Sequence, residues 1–466
     1  MAGLLLASNV ATAMAGGILT NTNQSVSFLR NPARDAAIGL DGVYSNPAGV
    51  AFLSEGLHLG FNWQYAHQTR TITSTNPLFA LGRKNGGQQT KTFEGVADAP
   101  IIPSLQAAYN KGPWSFQFNF SIPGGGGKCE FDEGLGSFES VVGNIANSLK
   151  PLGAQGYDMD GYMQGRQYYF GFQLGAAYKA KISNIMVNTA GGYVDFSSFM
   201  QQATATVDGG LAKVNAGIAQ YEAAGVAAPA ELVAQQQQLQ GTLQSLNTLQ
   251  KYNEGVNLLC DQSGIGFSPV LGVDYKIGDF NFAVKYDFKT PMRMKNKSTV
   301  NEASEIPAVN KFRDGEKVDE DAPALLAVGA QWQFLPGWRL DLGYHHFFDK
   351  NATWYGNTQD LLDHDTNEFL GGVEWDINDR LTVSGGLQLT RYGMSDTYMN
   401  DMSFVVDSYT FGFGADYRVN DRLTLRAAYF QTNYEDYNRT NYPAAGVNDS
   451  FTRTNNVFGL GCEVTL

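Results

Sequence analysis

The sequence predicts an all-β fold. It is a transmembrane antiparallel β-barrel of about 14 strands, with an N-terminal hatch plugging the lumen and helices in one extracellular loop. Three observations predict it. Apolar and polar residues alternate with period two along most of the chain. Short and long connections alternate between those segments. No stretch of 18 strongly apolar residues follows the N-terminus, yet aromatic residues make up 12% of the 466 positions. A barrel wall with one lipid face and one polar face averages to the hydropathy of a soluble protein, so the missing apolar run does not exclude a membrane.

Composition narrows the function classes. Asp plus Glu is 45 against 32 for Lys plus Arg, a formal charge of −13. That balance argues against a nucleic-acid partner, which needs a basic surface. Charged residues are only 17%, so the chain is not disordered. Three Cys allow at most one bridge.

Residues 1–15 read as the remnant of a signal peptide. Leu4 to Ala15 is a short apolar run ending in Ala13-Met14-Ala15, an A-x-A cleavage site. The usual basic n-region is missing, and the alternative is a buried helix of a soluble protein. Residues 16–56 follow, rich in Gly and Asn and too irregular for a separate domain. They carry Phe28, Leu29, Ile38, Leu40, Val43, Val50, Phe52 and Leu53, which would not stay in water. In a barrel of this size the lumen is wider than the wall's side chains fill. A hatch folded inside is therefore expected over a free periplasmic tail.

The barrel itself is expected over 57–466. Trp114, Phe116, Phe118, Phe120 and Ile122 share one face, with Ser115, Gln117, Asn119 and Ser121 opposite. Phe280, Phe282, Val284, Tyr286 and Phe288 repeat the pattern, as do Tyr409, Phe411, Phe413, Ala415, Tyr417 and Val419. Such segments run near 57–73, 101–111, 113–123, 165–180, 183–207, 264–277, 279–299, 321–335, 337–354, 366–378, 380–394, 403–419, 422–437 and 451–466. Each supplies the roughly 9–11 residues needed to cross a bilayer. Tight turns fall at Asn110-Lys111-Gly112, Ala180-Lys181, Gly278-Asp279, Pro336-Gly337, Asn378-Asp379 and Asn420-Asp421. Long connections lie between them, and transmembrane barrels segregate loop length in this way. The last strand alternates Phe458, Leu460, Cys462, Val464 and Leu466 with Gly459, Gly461, Glu463 and Thr465.

Two segments break the pattern. The third strand runs into Pro123-Gly124-Gly125-Gly126-Gly127, where a missing donor and four glycines would interrupt pairing with the next strand. The alternative there is a flexible loop start. Residues 208–260 are rich in Ala, Gln and Leu, with Leu232, Leu239, Leu243, Leu246 and Leu249 at helical spacing and Pro229 suited to a first turn. They read as a helical hairpin inserted in an extracellular loop.

The run AAIGLDGVYSNPAGVAFLSEGLHLGFNWQY (36–65) resembles the hatch and first strand of the FadL/TodX family of outer-membrane transporters for hydrophobic compounds. Three further stretches are similar in the same order: GFSPVLGVDYKIGDFNFAVKYDFKTPM, DAPALLAVGAQWQFLPGWRLDLGYHHF and GFGADYRVNDRLTLRAAY. The resemblance implies passive uptake of hydrophobic molecules such as long-chain fatty acids across a Gram-negative outer membrane. Asn46, Pro47, Ala48 and Gly49 would be the hatch motif, and Pro123 to Gly127 the lateral gap through which the molecule leaves. Leu239, Leu243, Leu246 and Leu249 would line the capture loop, unless that stripe only packs the helices together or docks a protein. The partners implied are hydrophobic small molecules or lipids, with outer-membrane lipid and lipopolysaccharide around the wall. The alternative on this scaffold is a subunit of an outer-membrane protein secretion or assembly complex, with an envelope protein as partner. An aqueous porin ranks below both, because a hatch opposes it. On this topology Cys129 and Cys260 lie in neighbouring extracellular loops, and a disulfide between them is expected as one possibility.

No catalytic or cofactor pattern stands out. His58, His67, His345, His346 and His364 show no zinc spacing, and there is no G-x-S-x-G or P-loop. His345 and His346 fall on opposite faces of one strand. Asp158 and Asp160, and Asp360, Asp363, Asp365 and Glu368, are acidic loop groups that suit Ca²⁺ or plain solvation. No metal, no cofactor and no enzyme activity are expected.

Overall fold

The computed structural model describes residues 25–466 except 113, 153–154, 177, 191–192, 196, 251–257, 302–310 and 403. The expected signal peptide and the start of the hatch lie outside the described residues.

Long antiparallel strands make up most of the chain. They are β1 (Gly56–Thr75), β2 (Thr90–Lys111), β3 (Trp114–Phe131), β4 (Met163–Ala176), β5 (Tyr178–Ala190), β6 (Leu258–Ile277) and β7 (Phe280–Asp287). The series continues with β8 (Leu325–Leu335), β9 (Trp338–Phe347), β10 (Thr366–Asp376), β11 (Leu381–Arg391), β12 (Ser408–Asn420), β13 (Leu423–Tyr434) and β14 (Asn448–Thr465). Each pairs with its predecessor and its successor. β14 also pairs with β1, from His58↔Thr465 to Thr75↔Asn448, so the ladder returns to its first strand. A ring has no open edge, the condition for a sheet to sit in lipid.

The polarity of the wall is inverted relative to a soluble protein. Outward positions are apolar and exposed, among them Phe61, Phe116, Leu174, Phe267, Val273, Phe369, Leu387, Phe413 and Leu460. Inward positions are polar and buried: Asn62 and Gln64, Gln117 and Asn119, Asp341 and His345, Glu368 and Glu374, Gln388 and Thr390. Such a contiguous apolar exterior is stable against hydrocarbon and not against water. Aromatic rings gather near the tight turns. Phe280 stacks on Trp332 at 5.6 Å, and Trp338 on Trp375 at 4.9 Å, where an interfacial girdle belongs.

Several sequence expectations need correction. The turn expected at Ala180-Lys181 lies earlier, because Ala176 already pairs with Tyr178. The strand expected over 183–207 ends at Ala190, and helix α4 (Ser197–Ala223) begins well before 208. The strand expected over 279–299 is broken: β7 stops at Asp287, and Arg293–Asn301 forms a separate short strand beyond Pro291. β2 starts at Thr90 instead of 101, and β3 runs through the glycines to Phe131. A helix over Gly136–Ser148, α3, was not foreseen; the second helix of the expected hairpin, α5, spans Ala230–Gln250.

The long loops converge over one mouth of the ring. Phe79, Leu135, Trp354, Leu362, Met394, Tyr398, Met399 and Phe404 from the loops pack on the wall residues Ile72, Phe93, Phe131, Met163 and Phe451. At the other end and in the middle, the segment from Ser25 to Glu55 lies against inward-facing side chains of strands around the whole circumference.

Candidate functional site

The segment from Ser25 holds two short helices, α1 (Val26–Arg30) and α2 (Gly42–Ser45). Ser25 caps α1 by accepting the Phe28 N–H at 3.3 Å. Neither helix would persist alone at this length; the wall holds them. Val26 N–H donates to Asn62 on β1 at 3.0 Å, and Asn31 Nδ2 donates to Asp341 on β9 at 2.7 Å. Gln117 on β3 donates to the Pro47 carbonyl at 2.8 Å, Gln173 on β4 to the Val43 carbonyl at 2.8 Å, and Asn281 on β7 to the Ala36 carbonyl at 2.6 Å. Inward amide side chains thus take the place of water on the irregular backbone.

Charge reinforces the fit. Arg30 lies 2.9 Å from Glu374 and 3.1 Å from Asp416, while Arg34 lies 2.8 Å from Asp41 and 2.9 Å from Glu374. All these side chains are buried or nearly so. Burial pushes the Asp41 carboxyl up, but Arg34, Arg426 and Arg30 together hold it below its ordinary range. Asp41 and Glu374 hold the Arg34 guanidinium above its ordinary value against the cost of burial. Asp35 reaches His345 Nε2 at 2.8 Å, and His345 Nδ1 meets Glu368 at 2.9 Å, tying the segment to β9 and β10.

Inward-facing glycines make room for it. A Cβ at Gly372 would lie 2.0 Å from Asn31 Oδ1, one at Gly412 2.0 Å from the Leu29 carbonyl, and one at Gly386 2.6 Å from Pro32. Gly343 and Gly329 do the same for Asp35, and Gly459 for Leu29. The sequence reading missed this ring, because a strand glycine signals a bulge or a close approach without saying which.

The Asn46-Pro47-Ala48-Gly49 motif is buried or nearly so where the segment turns toward β1. Asn46 Nδ2 donates to Asp274 at 2.5 Å and its Oδ1 accepts the Gly49 N–H at 3.1 Å. A Cβ at Gly49 would sit 2.3 Å from Asn46 Nδ2, so the motif's last residue must be small.

The second feature is an opening between β2 and β3. Pairing is regular from Lys111↔Trp114 to Leu105↔Phe120, stops, and resumes at Asp98↔Lys128. Residues 99–104 of β2 and 121–127 of β3 lie between without pairing to each other. β2 contributes Pro100 and Pro103, which lack donors; β3 contributes Pro123 and four glycines, with Gly125 at φ 70°. The expected interruption therefore exists, but it faces the preceding strand. Toward β4, pairing continues with two register shifts, Ser121/Gly124 and Gly125/Gly127. Pro100 lies just outside the strand expected over 101–111, and Pro103 lies inside it.

Ala99 and Ile102 make one side of the opening apolar, while Ser104 and Ser121 stand at its end. Ala99 and Ile102 join a cluster with Val26, Phe28 and Leu29 of α1 and with Ala66, Leu370, Phe430 and Val457 of the wall. Phe28 packs on Phe430 with ring centroids 5.7 Å apart. The apolar cluster on α1 thus borders an unpaired stretch of wall.

The remaining expected site residues are not brought to this place. Leu239 and Leu243 pack against Val142, Ala146, Leu149, Tyr157 and Val207, so they join α5 to α3 and α4. The side chains of Leu246 and Leu249 lie outside the described residues. Cys129 and Cys260 are free thiols in β3 and β6. They share one register row, Cys129↔Gly165, Gly165↔Thr189, Thr189↔Cys260, and so stand three strand spacings apart. That is about 14 Å, twice the reach of a disulfide, so the expected bridge is corrected. Asp158 and Asp160 face Arg83 and Lys84, and Glu368 belongs to the His345 group and not to the acidic loop.

The barrel is similar to two solved structures. A Pseudomonas aeruginosa FadL homologue matches over 95% of this chain and 98% of its own, at 13% identity and a TM-score of 0.55. The Ralstonia pickettii toluene transporter TbuX matches over 96% of this chain and all of its own, at 13% identity and a TM-score of 0.51. No family model and no curated protein matches the chain. At these identities the likeness establishes the fold: the chain is built as a FadL/TodX-type barrel.

Proposed function

We propose that the protein takes up hydrophobic small molecules across the outer membrane of a Gram-negative bacterium, without catalysis. The observation that carries the reading is the unpaired stretch between β2 and β3, bordered on one side by Ala99 and Ile102 beside the apolar cluster on α1. The similar structures are those of a FadL homologue and a toluene transporter, which fits the same class. A molecule that enters from the loop side meets the hatch below and leaves sideways into lipid. Each methylene it buries contributes about 0.8 kcal/mol, so long acyl chains such as fatty acids are favoured over short ones. The hatch, including Asn46 to Gly49, keeps the lumen from acting as an aqueous pore.

Removing one glycine tests the route. Between the two paired stretches β3 has one residue more than β2, and deleting Gly126 equalises them. The shortened strand is expected to pair across the opening. Uptake of a radiolabelled long-chain fatty acid and of toluene by cells carrying the variant should then fall severalfold, with the barrel still resistant to SDS before heating. Unchanged uptake of both would reject the route. A protein that copurifies in stoichiometric amount, with no uptake of any hydrophobe, would favour a role in an envelope complex.

A further inference from the structure

Where β2 leaves β3, it is also irregular on its other side. It pairs with β1 at Ala66↔Ala99 and again at Gln64↔Ile102, so Pro100 and Ile101 stand together against Tyr65 alone. Two residues against one make a bulge, which bends its strand and re-aims its groups. Three successive outward side chains of β1 hold that bulge from the lipid side. The Trp63 indole N–H donates to the Pro100 carbonyl at 3.0 Å. The Tyr65 hydroxyl donates to Asp98 Oδ1 at 3.0 Å, and His67 Nδ1 lies 2.7 Å from the same oxygen. Trp63 is itself steadied by Phe458 of β14, edge to face with ring centroids 6.3 Å apart.

The contacts decide which way β2 leans. Lys128 is the first residue of β3 to pair again beyond the opening, opposite Asp98, yet its ion pair is with Glu130. Asp98 and Pro100 are therefore bonded to β1 and not to β3 among the described residues. A carbonyl without a donor is costly where the wall meets lipid, so it is drawn to any donor in reach. For Pro100 two sources exist. One is the Trp63 indole; the other is the backbone N–H groups of residues 121–127 of β3, across the opening. With the carbonyl on Trp63, β2 leans on β1 and the gap persists. With the carbonyl on β3, the two strands close.

We propose that Trp63 is a positioning residue for the lateral route. Its indole N–H, with Tyr65 and His67 acting through Asp98, holds the bulge of β2 against β1 and keeps the opening from pairing shut. This rests on the uptake reading and names what sets the width of its exit. One hydrogen bond of this kind shifts an open–closed equilibrium roughly fivefold. The test compares the unaltered chain with Trp63→Phe, which keeps a ring against Phe458 and loses the donor. Amide hydrogen exchange of residues 121–127, measured on the purified full chain in a neutral maltoside detergent, should slow severalfold in the variant, because closure pairs these amides with β2. Uptake of a radiolabelled long-chain fatty acid by cells carrying it should fall severalfold. A merely structural defect has the opposite sign, faster exchange. Asp98→Leu should act in the same direction as Trp63→Phe and serves in its place should that variant fail to insert; Asp98→Asn, which still accepts a hydrogen bond, should keep most of the uptake. Exchange that is unchanged or faster in both Trp63→Phe and Asp98→Leu overturns the clamp and leaves the uptake reading standing. Slower exchange with unchanged uptake overturns the role of Trp63 together with the lateral route. An unaltered chain that takes up no hydrophobe overturns the uptake reading, and the exchange alone then decides the clamp.

Discussion

Arg34 Nη1 lies 2.9 Å from Glu374 Oε1, and Arg30 Nη1 lies at the same distance from the same oxygen. One wall carboxylate therefore anchors both arginines of the hatch, in a site where these side chains are only 5–6% exposed. Removing one partner of a buried group leaves charge without compensation, at a cost of about 3–5 kcal/mol. Glu374 keeps Arg30 and Arg339, but Asp41 loses its only ion-pair partner among the described residues. Arg34→Met is expected to cost about 3 kcal/mol of hatch docking. Single-barrel conductance in planar bilayers should rise accordingly, and a conductance equal to that of the unaltered chain would count against the anchor.

The glycine ring makes a sharper prediction, because it depends on sterics alone. Gly412→Val places its Cβ 2.0 Å from the Leu29 carbonyl, a backbone atom that no side-chain rotation can move aside. Overpacking of this kind costs about 1–3 kcal/mol or more. The variant should conduct ions where the unaltered chain does not. Gly385→Ala is the control: its nearest neighbour would be 3.5 Å from the new Cβ, an ordinary contact. Equal conductance of the two variants would show that the hatch does not depend on this close approach.

The wall was legible in the sequence because each strand has one lipid face, and lipid imposes period two without exception over 10 or more residues. Phe116 and Gln117 reveal their sides by type alone. The edges of that pattern were less legible. Ala176 pairs with Tyr178, and no Gly, Asn or Asp stands nearby to mark that reversal in the sequence. β2 begins at Thr90, eleven residues before the expected start at 101, and Pro100 and Pro103 within it form half of the opening. The partners of the hatch were hidden for a different reason: Gly372 and Gly412 face it only because of their level in the barrel, which no local pattern reports.

Cys129 and Cys260 provide a direct check on strand order. If β4 and β5 lie between them, neither thiol can reach the other. Thiol titration of the purified chain in SDS, with no reductant at any step, should give all three cysteines in the reduced form. A loss of two thiols per chain, restored by reductant, would mean that the order of β3 to β6 is wrong.

The loops over the mouth carry a pH dependence of their own. Asp349 follows β9 and is fully buried; its Oδ2 accepts the Thr366 N–H at 3.0 Å, while Oδ1 has no partner among the described residues. Burial pushes its carboxyl up to about 7 from an ordinary 3.8, with Asp365 adding to the rise and Thr366 and His346 opposing it. Burial also raises Glu320 and Asp401 in neighbouring loops. A raised carboxyl means that the folded loops bind the proton more tightly than the unfolded chain. Their stabilisation is complete below about pH 4 and is lost as pH rises through 7, at most about 4 kcal/mol from Asp349. Amide hydrogen exchange in residues 349–366, corrected for intrinsic rates, should therefore be slower at pH 5.5 than at pH 8. Asp349→Asn cannot ionise, so it should flatten the difference; a difference that persists in the variant would assign the titration to another group.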